Sequence, residues 1–134
     1  VINIVKELGI GLEDYIDQPL SSLSGGQRQM IATLMAIHAK PDILLLDEHT
    51  SALDPKAQNL LIKYTAKSIV NNKITALMIT HKLDDAILYG DRLIMLHQGK
   101  IVLDIKGDKK KSLSVKELLD LFHSYEDLTL RSKS

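Results

Sequence analysis

Residues 43–54 constrain this chain most. Ile43-Leu44-Leu45-Leu46 runs directly into Asp47-Glu48, and then into His49-Thr50-Ser51-Ala52-Leu53-Asp54. A short, uninterrupted apolar run of this kind predicts a strand buried on both faces of a parallel sheet. Ligands of such sheets bind beyond the carboxyl ends of the strands, which is where Asp47 and Glu48 stand. Side chains alternate along a strand, so the two carboxylates leave in different directions. One can serve a metal ion while the other addresses a water. A strand that merely ends in solvated acids is the plain alternative.

A second strand of the same kind is expected over residues 74–80, Ile-Thr-Ala-Leu-Met-Ile-Thr. It delivers His81 at its carboxyl end, by the logic that placed Asp47 and Glu48. A lone histidine is usually structural or merely exposed. Following a strand like the acid-bearing one, it reads better as part of a shared site.

Upstream, Ser24 is a good N-cap for a helix that opens with Gly25 and Gly26. Such a helix start presents unpaired N–H groups and a partial positive charge, which suit an anion such as phosphate. An ordinary capped helix with a tight entry is the bland reading of Ser-Gly-Gly alone. Met30, Ile31, Leu34, Ile37 and His38 form its expected core-facing stripe, and Pro41-Asp42 marks the turn into the central strand. Neither His38 nor Lys40 is given a catalytic role.

The remaining elements follow from local signals. Ile2, Val5 and Leu8 share a helical face closed by Gly9. A loop runs through Gly11 to Pro19, with Glu13, Asp14 and Asp17 as solvated acids. Asp54-Pro55 starts a helix, cap then first-turn proline. Gln58 is read as its capping-box partner, Leu60, Leu61, Tyr64 and Ile69 as its buried side, and Asn71-Asn72 as its end. A short helix spans Leu83 to Tyr89. Arg92 to Ile105 reads as a hairpin turning at Gln98-Gly99. Lys109-Lys110-Lys111 reads as a solvated loop. Ser114 to Glu117 is a capping box before an apolar run from Leu118 to Phe122, and the last ten residues are expected to fray.

Composition closes off several classes. With 134 residues, one domain with a core is possible. The 17 basic and 17 acidic residues balance, so no global field draws nucleic acid or anionic lipid. Without cysteine there are no disulfides or thiolate metal sites. No apolar run approaches the roughly 20 residues of a membrane span, and no signal peptide is visible. The chain begins with Val1 rather than Met, from which a missing native N-terminus is expected.

Leu23-Ser24-Gly25-Gly26-Gln27, the apolar run ending in Asp47-Glu48, Ser51-Ala52-Leu53-Asp54 and the lone His81 together resemble the ATP-binding-cassette (ABC) ATPases. Leu23–Gln27 match the signature, Ile43–Glu48 match Walker B with its catalytic acid, Ser51–Asp54 match the D-loop and His81 matches the switch histidine. The resemblance covers nearly the whole chain. It implies an α/β fold: the C-terminal part of a P-loop NTPase domain, a largely parallel sheet flanked by helices. Residues 1–40 would be the end of the helical subdomain with the signature helix, 41–105 the core and hairpin, and 106–134 the C-terminal helix and tail.

The same resemblance implies ATP and Mg²⁺ as cofactors. Asp47 would hold the metal, directly or through a water. Glu48 would orient and help deprotonate the attacking water, and His81 would contact the γ-phosphate. Ser24, Gly25, Gly26 and Gln27 would cap a nucleotide held by a second, head-to-tail ATPase domain, and Asp54 would act in the D-loop between the two. Permease subunits would be further partners, nucleic acid would not, and the location would be the cytoplasmic face of the membrane. Two departures stand out. His49 replaces the usual proline after the catalytic acid, in a run that resembles subunits of bacterial importers, where it is expected to be a tolerated turn residue. No G-x-x-x-x-G-K-S/T phosphate loop is present, and the glutamine loop that should precede the signature is missing too. This polypeptide alone is therefore expected to be inactive. A truncated, non-catalytic remnant and a soluble ABC protein of translation or DNA maintenance are the competing readings.

Overall fold

Two short sheets, each of two strands, organise the residues that the computed structural model describes, 2–9, 12–15 and 17–132. The chain divides into two compact units, Val1–Ile79 and Thr80–Ser134.

The first unit runs α1 (Ile2–Leu8), α2 (Gly25–His38), β1 (Ile43–Asp47), α3 (Pro55–Asn71) and β2 (Thr75–Ile79), with 3-10 turns at Glu13–Tyr15 and Leu20–Ser22. The Ile2 and Leu8 side chains and Gly11, named in the sequence reading, lie outside what is described. Both long helices start as their caps require. Ser24 and Gln27 form a reciprocal capping box. The Asp54 carboxylate accepts from the N–H groups of Lys56 and Ala57, with Pro55 in the first turn. Gln58 is not part of a box, because it stands one residue too far along. Its side chain donates instead to the Leu53 carbonyl at 2.8 Å.

Val5, Leu12, Met30, Leu34 and Leu61 form one buried cluster. Ile37, Leu44, Leu46 and Ile74 form a second. The stripe of α2 is corrected at two places: Thr33 is buried and His38 is exposed. Thr33 belongs inside because its hydroxyl is satisfied by the Gln29 carbonyl at 2.9 Å. On α3 the buried face is Leu61, Ile62, Thr65 and Ser68, turned slightly from the expected one. Glu13, expected to be solvated, is half-buried.

β1 and β2 pair in parallel, Ile43 opposite Thr75 through Asp47 opposite Ile79. The pair is not buried on both faces. Leu44 and Leu46 point into the core, whereas Ile43 is 65% and Leu45 71% exposed. On β2, Leu77 and Ile79 are likewise more than half exposed. Residues of α2 and α3 pack on one face only, and nothing among the described residues covers the other.

The second unit holds α4 (Leu83–Leu88), β3 (Arg92–His97), β4 (Lys100–Lys106), α5 (Asp108–Lys111) and α6 (Val115–Ser132). β3 and β4 are antiparallel, so the expected largely parallel sheet is corrected to one parallel pair in the first unit and an antiparallel hairpin in the second. The turn has positive φ at both Gln98 and Gly99, the geometry that a two-residue hairpin needs. A bulge at Met95/Leu96 shifts the register. Leu93 and Met95 pack with Leu118, and Tyr125 donates its hydroxyl to the Val102 carbonyl at 2.9 Å.

Two expectations differ from the structure here. The last ten residues, expected to fray, are helical as far as Ser132, where α6 ends. The lysine cluster is not a solvated loop. It forms α5, and Lys110 is buried with its ammonium donating to the carbonyls of Ile87 and Tyr89 at the end of α4. These carbonyls would otherwise lack partners. Burial pulls the Lys110 pKa below its ordinary value, against the opposing pull of Asp91.

Candidate active site

The N-terminus of α2 is built as an open cradle on one side and a tight joint on the other. Ser24 is exposed. Its N–H donates to Gln27 Oε1 at 2.8 Å, and its Oγ accepts from the Gln27 N–H at 3.2 Å. A Cβ at Gly25 would meet nothing within 4 Å. The first-turn N–H groups of Gly25 and Gly26 have no acceptor within the helix. This side suits a bulky anion. Gly26 differs: a Cβ there would stand 2.5 Å from the Ala52 carbonyl oxygen. Glycine is thus needed at 26 for the approach of the 48–54 loop, a reason that the motif alone does not reveal. Gln27 turns its side-chain oxygen back into the helix cap.

At the other end, β1 delivers Asp47 and Glu48 to the strand terminus, and both are exposed. Glu48 has φ of +45°, a conformation uncommon outside glycine. The surrounding bonds hold it there. Its N–H donates to the Ile79 carbonyl at 2.9 Å, and its carbonyl accepts from the Ser51 N–H at 3.0 Å. His49 and Thr50, just beyond, are buried, at 6% and 8% exposure. His49 is therefore a turn residue, as expected, but one held in the interior of this loop.

Gln29 was not singled out in the sequence. Its Oε1 accepts from the Ala52 N–H at 3.1 Å, and its Nε2 donates to the Glu48 carbonyl at 3.4 Å. The available signal was a second glutamine just past the motif, on the first turns of a helix. Its partners lie 19 and 23 residues away in sequence, so no local rule points to them.

Ser24, Gly25, Gly26, Gln27, Asp47, Glu48 and Asp54 all fall in the first unit. Asp54 is engaged as the cap of α3. His81 belongs to the second unit, where it is exposed beside a turn in which Thr80 Oγ1 accepts from the Lys82 N–H at 3.1 Å.

Among the described residues, no group of three His, Cys, Asp or Glu is arranged to hold a metal ion. A single exposed carboxylate at a strand end is still a suitable donor for Mg²⁺, which is commonly held by one or two carboxylates together with substrate phosphates and water. The residues therefore fit a metal that arrives with a nucleotide. Also among the described residues, no helix is long and apolar enough to cross a membrane.

The chain is similar to known proteins in sequence and in fold. The sequence profile of the ABC transporter family matches residues 1–51. A tyrosine transport ATP-binding protein of Clostridioides difficile is 48% identical over 120 residues, 90% of this chain and 48% of that protein. A phosphonates import ATP-binding protein of Treponema denticola is 39% identical over 95 residues, 71% of this chain and 37% of that protein. The chain thus spans less than half the length of either relative. In structure, the chain is similar to an ATP-binding cassette of an ABC transporter in its ADP conformation. The TM-score is 0.67 at 22% identity, covering 90% of this chain and 47% of the other. At that identity the likeness supports the fold alone.

Proposed function

We propose that this chain, which is similar to ATP-binding proteins of ABC transporters over part of their length, supplies one half of a phosphoryl-transfer centre that drives solute import. The observation that carries this reading is the joint in the first unit. There the opening turns of α2, which carry Ser24 and Gly25 at their start, meet the backbone of the 48–52 loop through Gly26 and Gln29.

In phosphoryl transfer, protein groups position the phosphates, metal and water, and stabilise charge. Mg²⁺, when bound with ATP, would neutralise phosphate charge, and Asp47 would be its protein ligand. Glu48 orients the attacking water and accepts its proton. The N–H groups of Gly25 and Gly26, with the Ser24 hydroxyl, donate to the γ-phosphate of a nucleotide whose phosphate loop belongs to a second, head-to-tail domain. Gln27 supports this turn through the capping box. Asp54, at the end of the D-loop, fixes the start of α3. His81 donates to the γ-phosphate from the segment after β2. Residues 1–40 form the end of the helical subdomain with the signature helix, 41–105 the core with hairpin, and 106–134 the C-terminal helix and tail. A larger, largely parallel sheet in the whole domain would extend the β1–β2 pair from its edges, and the uncovered face suits a further packed layer.

The transporter reading places the protein at the cytoplasmic face of a membrane, on permease subunits. The names of the relatives, tyrosine transport and phosphonates import, favour a small polar solute such as an amino acid. The test is Glu48→Gln in the full-length protein. Hydrolysis is expected to fall by about 10²–10⁴-fold, with Mg-ATP binding retained. Hydrolysis at the parent rate would overturn the reading in favour of a non-catalytic remnant. As a control, this 134-residue chain alone lacks the phosphate-loop motif and is expected to show no stoichiometric, micromolar Mg-ATP binding by calorimetry.

A further inference from the structure

We propose that Gln29 is a positioning residue that joins the opening turn of α2 to the loop bearing Glu48, so that nucleotide contact at the turn is transmitted to the catalytic acid of the same chain. This rests on the functional reading above and concerns the regulation of that site.

The joint has two independent parts. One is covalently simple: a Cβ at Gly26 would come within 2.5 Å of the Ala52 carbonyl oxygen, so helix and loop backbones already touch. The other is the Gln29 amide, one residue type with a donor and an acceptor on the same planar group. It accepts from the Ala52 N–H at 3.1 Å and donates to the Glu48 carbonyl at 3.4 Å. A glutamate keeps only the acceptor, and a leucine keeps neither. The Glu48 carbonyl also accepts from the Ser51 N–H at 3.0 Å, so Gln29 acts on a peptide that already anchors the turn.

Glu48 is the residue most sensitive to such a link. Its φ of +45° is a strained setting for a non-glycine residue, and it persists only where surroundings over-determine it. A shift of the first turn of α2 pulls Ala52 through both backbone contact and amide, and the peptide after Glu48 moves with it. Reorienting that peptide re-aims the carboxylate. A misplacement of about 1 Å at a reacting group can lower a rate by about 100-fold. In a head-to-tail pair the turn faces one nucleotide and Glu48 addresses the other. Gln29 therefore couples the two sites from within one chain.

The experiment is steady-state hydrolysis against Mg-ATP concentration, in the full-length protein assembled with its second domain and membrane subunits. Gln29→Leu, Gln29→Glu and Glu48→Gln are compared with the parent, and rates are scaled to the nucleotide-binding fraction. The Gln29→Leu variant is expected to lose about 10- to 100-fold in kcat with KM nearly unchanged, and its Hill slope is expected to fall towards 1. The Gln29→Glu variant, which keeps the Ala52 bond, is expected to lie between and serves if the leucine variant does not fold. Parent-like kcat and Hill slope in both Gln29 variants, beside an inactive Glu48→Gln, overturn this inference and leave the functional reading intact. A parent Hill slope of 1 overturns the transmission between sites. Full activity in Glu48→Gln overturns the reading itself, and the inference with it.

Discussion

The two units secure their loops with different chemistry. In Val1–Ile79 much of the work falls to neutral amides, beside the Asp54 carboxylate that caps α3. Gln27 closes the box with Ser24, Gln29 spans Glu48 and Ala52, and Gln58 holds the Leu53 carbonyl. In Thr80–Ser134 it falls to ions. Lys110 caps α4, Arg92 meets Asp104 at 2.7 Å across the hairpin, and Glu117 accepts from both N–H and hydroxyl of Ser114 at 2.7 Å. The contrast has a physical rationale. Under the proposed function the loop of the first unit receives phosphates and a divalent cation, and charged braces would serve it poorly, since each would attract or repel the ligand. An amide supplies directional bonds without a net charge. In the hairpin unit Lys110, Arg92, Asp104 and Glu117 carry charge instead, beside the neutral hydroxyl of Tyr125.

The largest expected effect tests whether the contrast extends to the cores. Leu61 in the first unit and Leu118 in the second are both almost wholly buried. Truncating a buried leucine to alanine costs about 2–5 kcal/mol. Leu61→Ala and Leu118→Ala are therefore expected to lower the urea midpoint of their own units by similar amounts, read by hydrogen exchange on α3 and α6. A loss at Leu118 far below that at Leu61 would mean that charges, and not apolar packing, hold the second unit together.

Lys110 comes next. Lys110→Met keeps the aliphatic stem and removes the ammonium, leaving the carbonyls of Ile87 and Tyr89 without their donor. An unsatisfied buried polar group costs about 1–3 kcal/mol, so protection of α4 amides should fall by that amount at pH 7. The pH trend carries a definite sign. The folded pKa of Lys110 is lowered by burial, so between that value and the ordinary lysine value the unfolded chain binds more protons. Stability from this group then rises with pH, and the gap between parent and variant should widen towards pH 10. A gap independent of pH would remove Lys110 from the charged braces.

Much of the architecture was legible because local rules sufficed. Ser24, Asp54 and Ser114 cap helices where a cap was expected, and Gln98-Gly99 turns the hairpin. The acids Asp47 and Glu48 do end a strand. What escaped depends on partners remote in sequence. Exposure of Leu45 and Leu77 reflects what covers a sheet, which an apolar run does not encode. Lys110 hides inside a run of three lysines, where composition argues for solvent and only the ends of α4 argue otherwise. Gln29 carries no periodic or capping signal, and the polar residues after Glu126 masked the continuation of α6. The candidate site was legible as motifs; its internal joint was not.

The smallest expected effect concerns acid, and it separates the two kinds of brace most cleanly. Two hydrogen bonds from Ser114, first from its hydroxyl and then from its backbone, hold the Glu117 carboxyl below its usual range. A carboxylate with a depressed folded pKa adds stability that is complete above its unfolded value and lost as pH falls through the folded one. Asp104 behaves alike, because the Arg92 guanidinium lowers its pKa. The parent advantage over Glu117→Gln, read as α6 protection, should therefore be constant near neutrality and shrink from about pH 4.5 downward. Both groups are fully exposed, so solvent and salt screen them and the changes will be modest. Gln58→Met in the first unit removes a neutral brace, and its effect should not change over the same interval. If the Gln58 effect instead shrinks in acid as the Glu117 effect does, the loops of the first unit also depend on ionised groups, and the division between amide and ionic bracing fails.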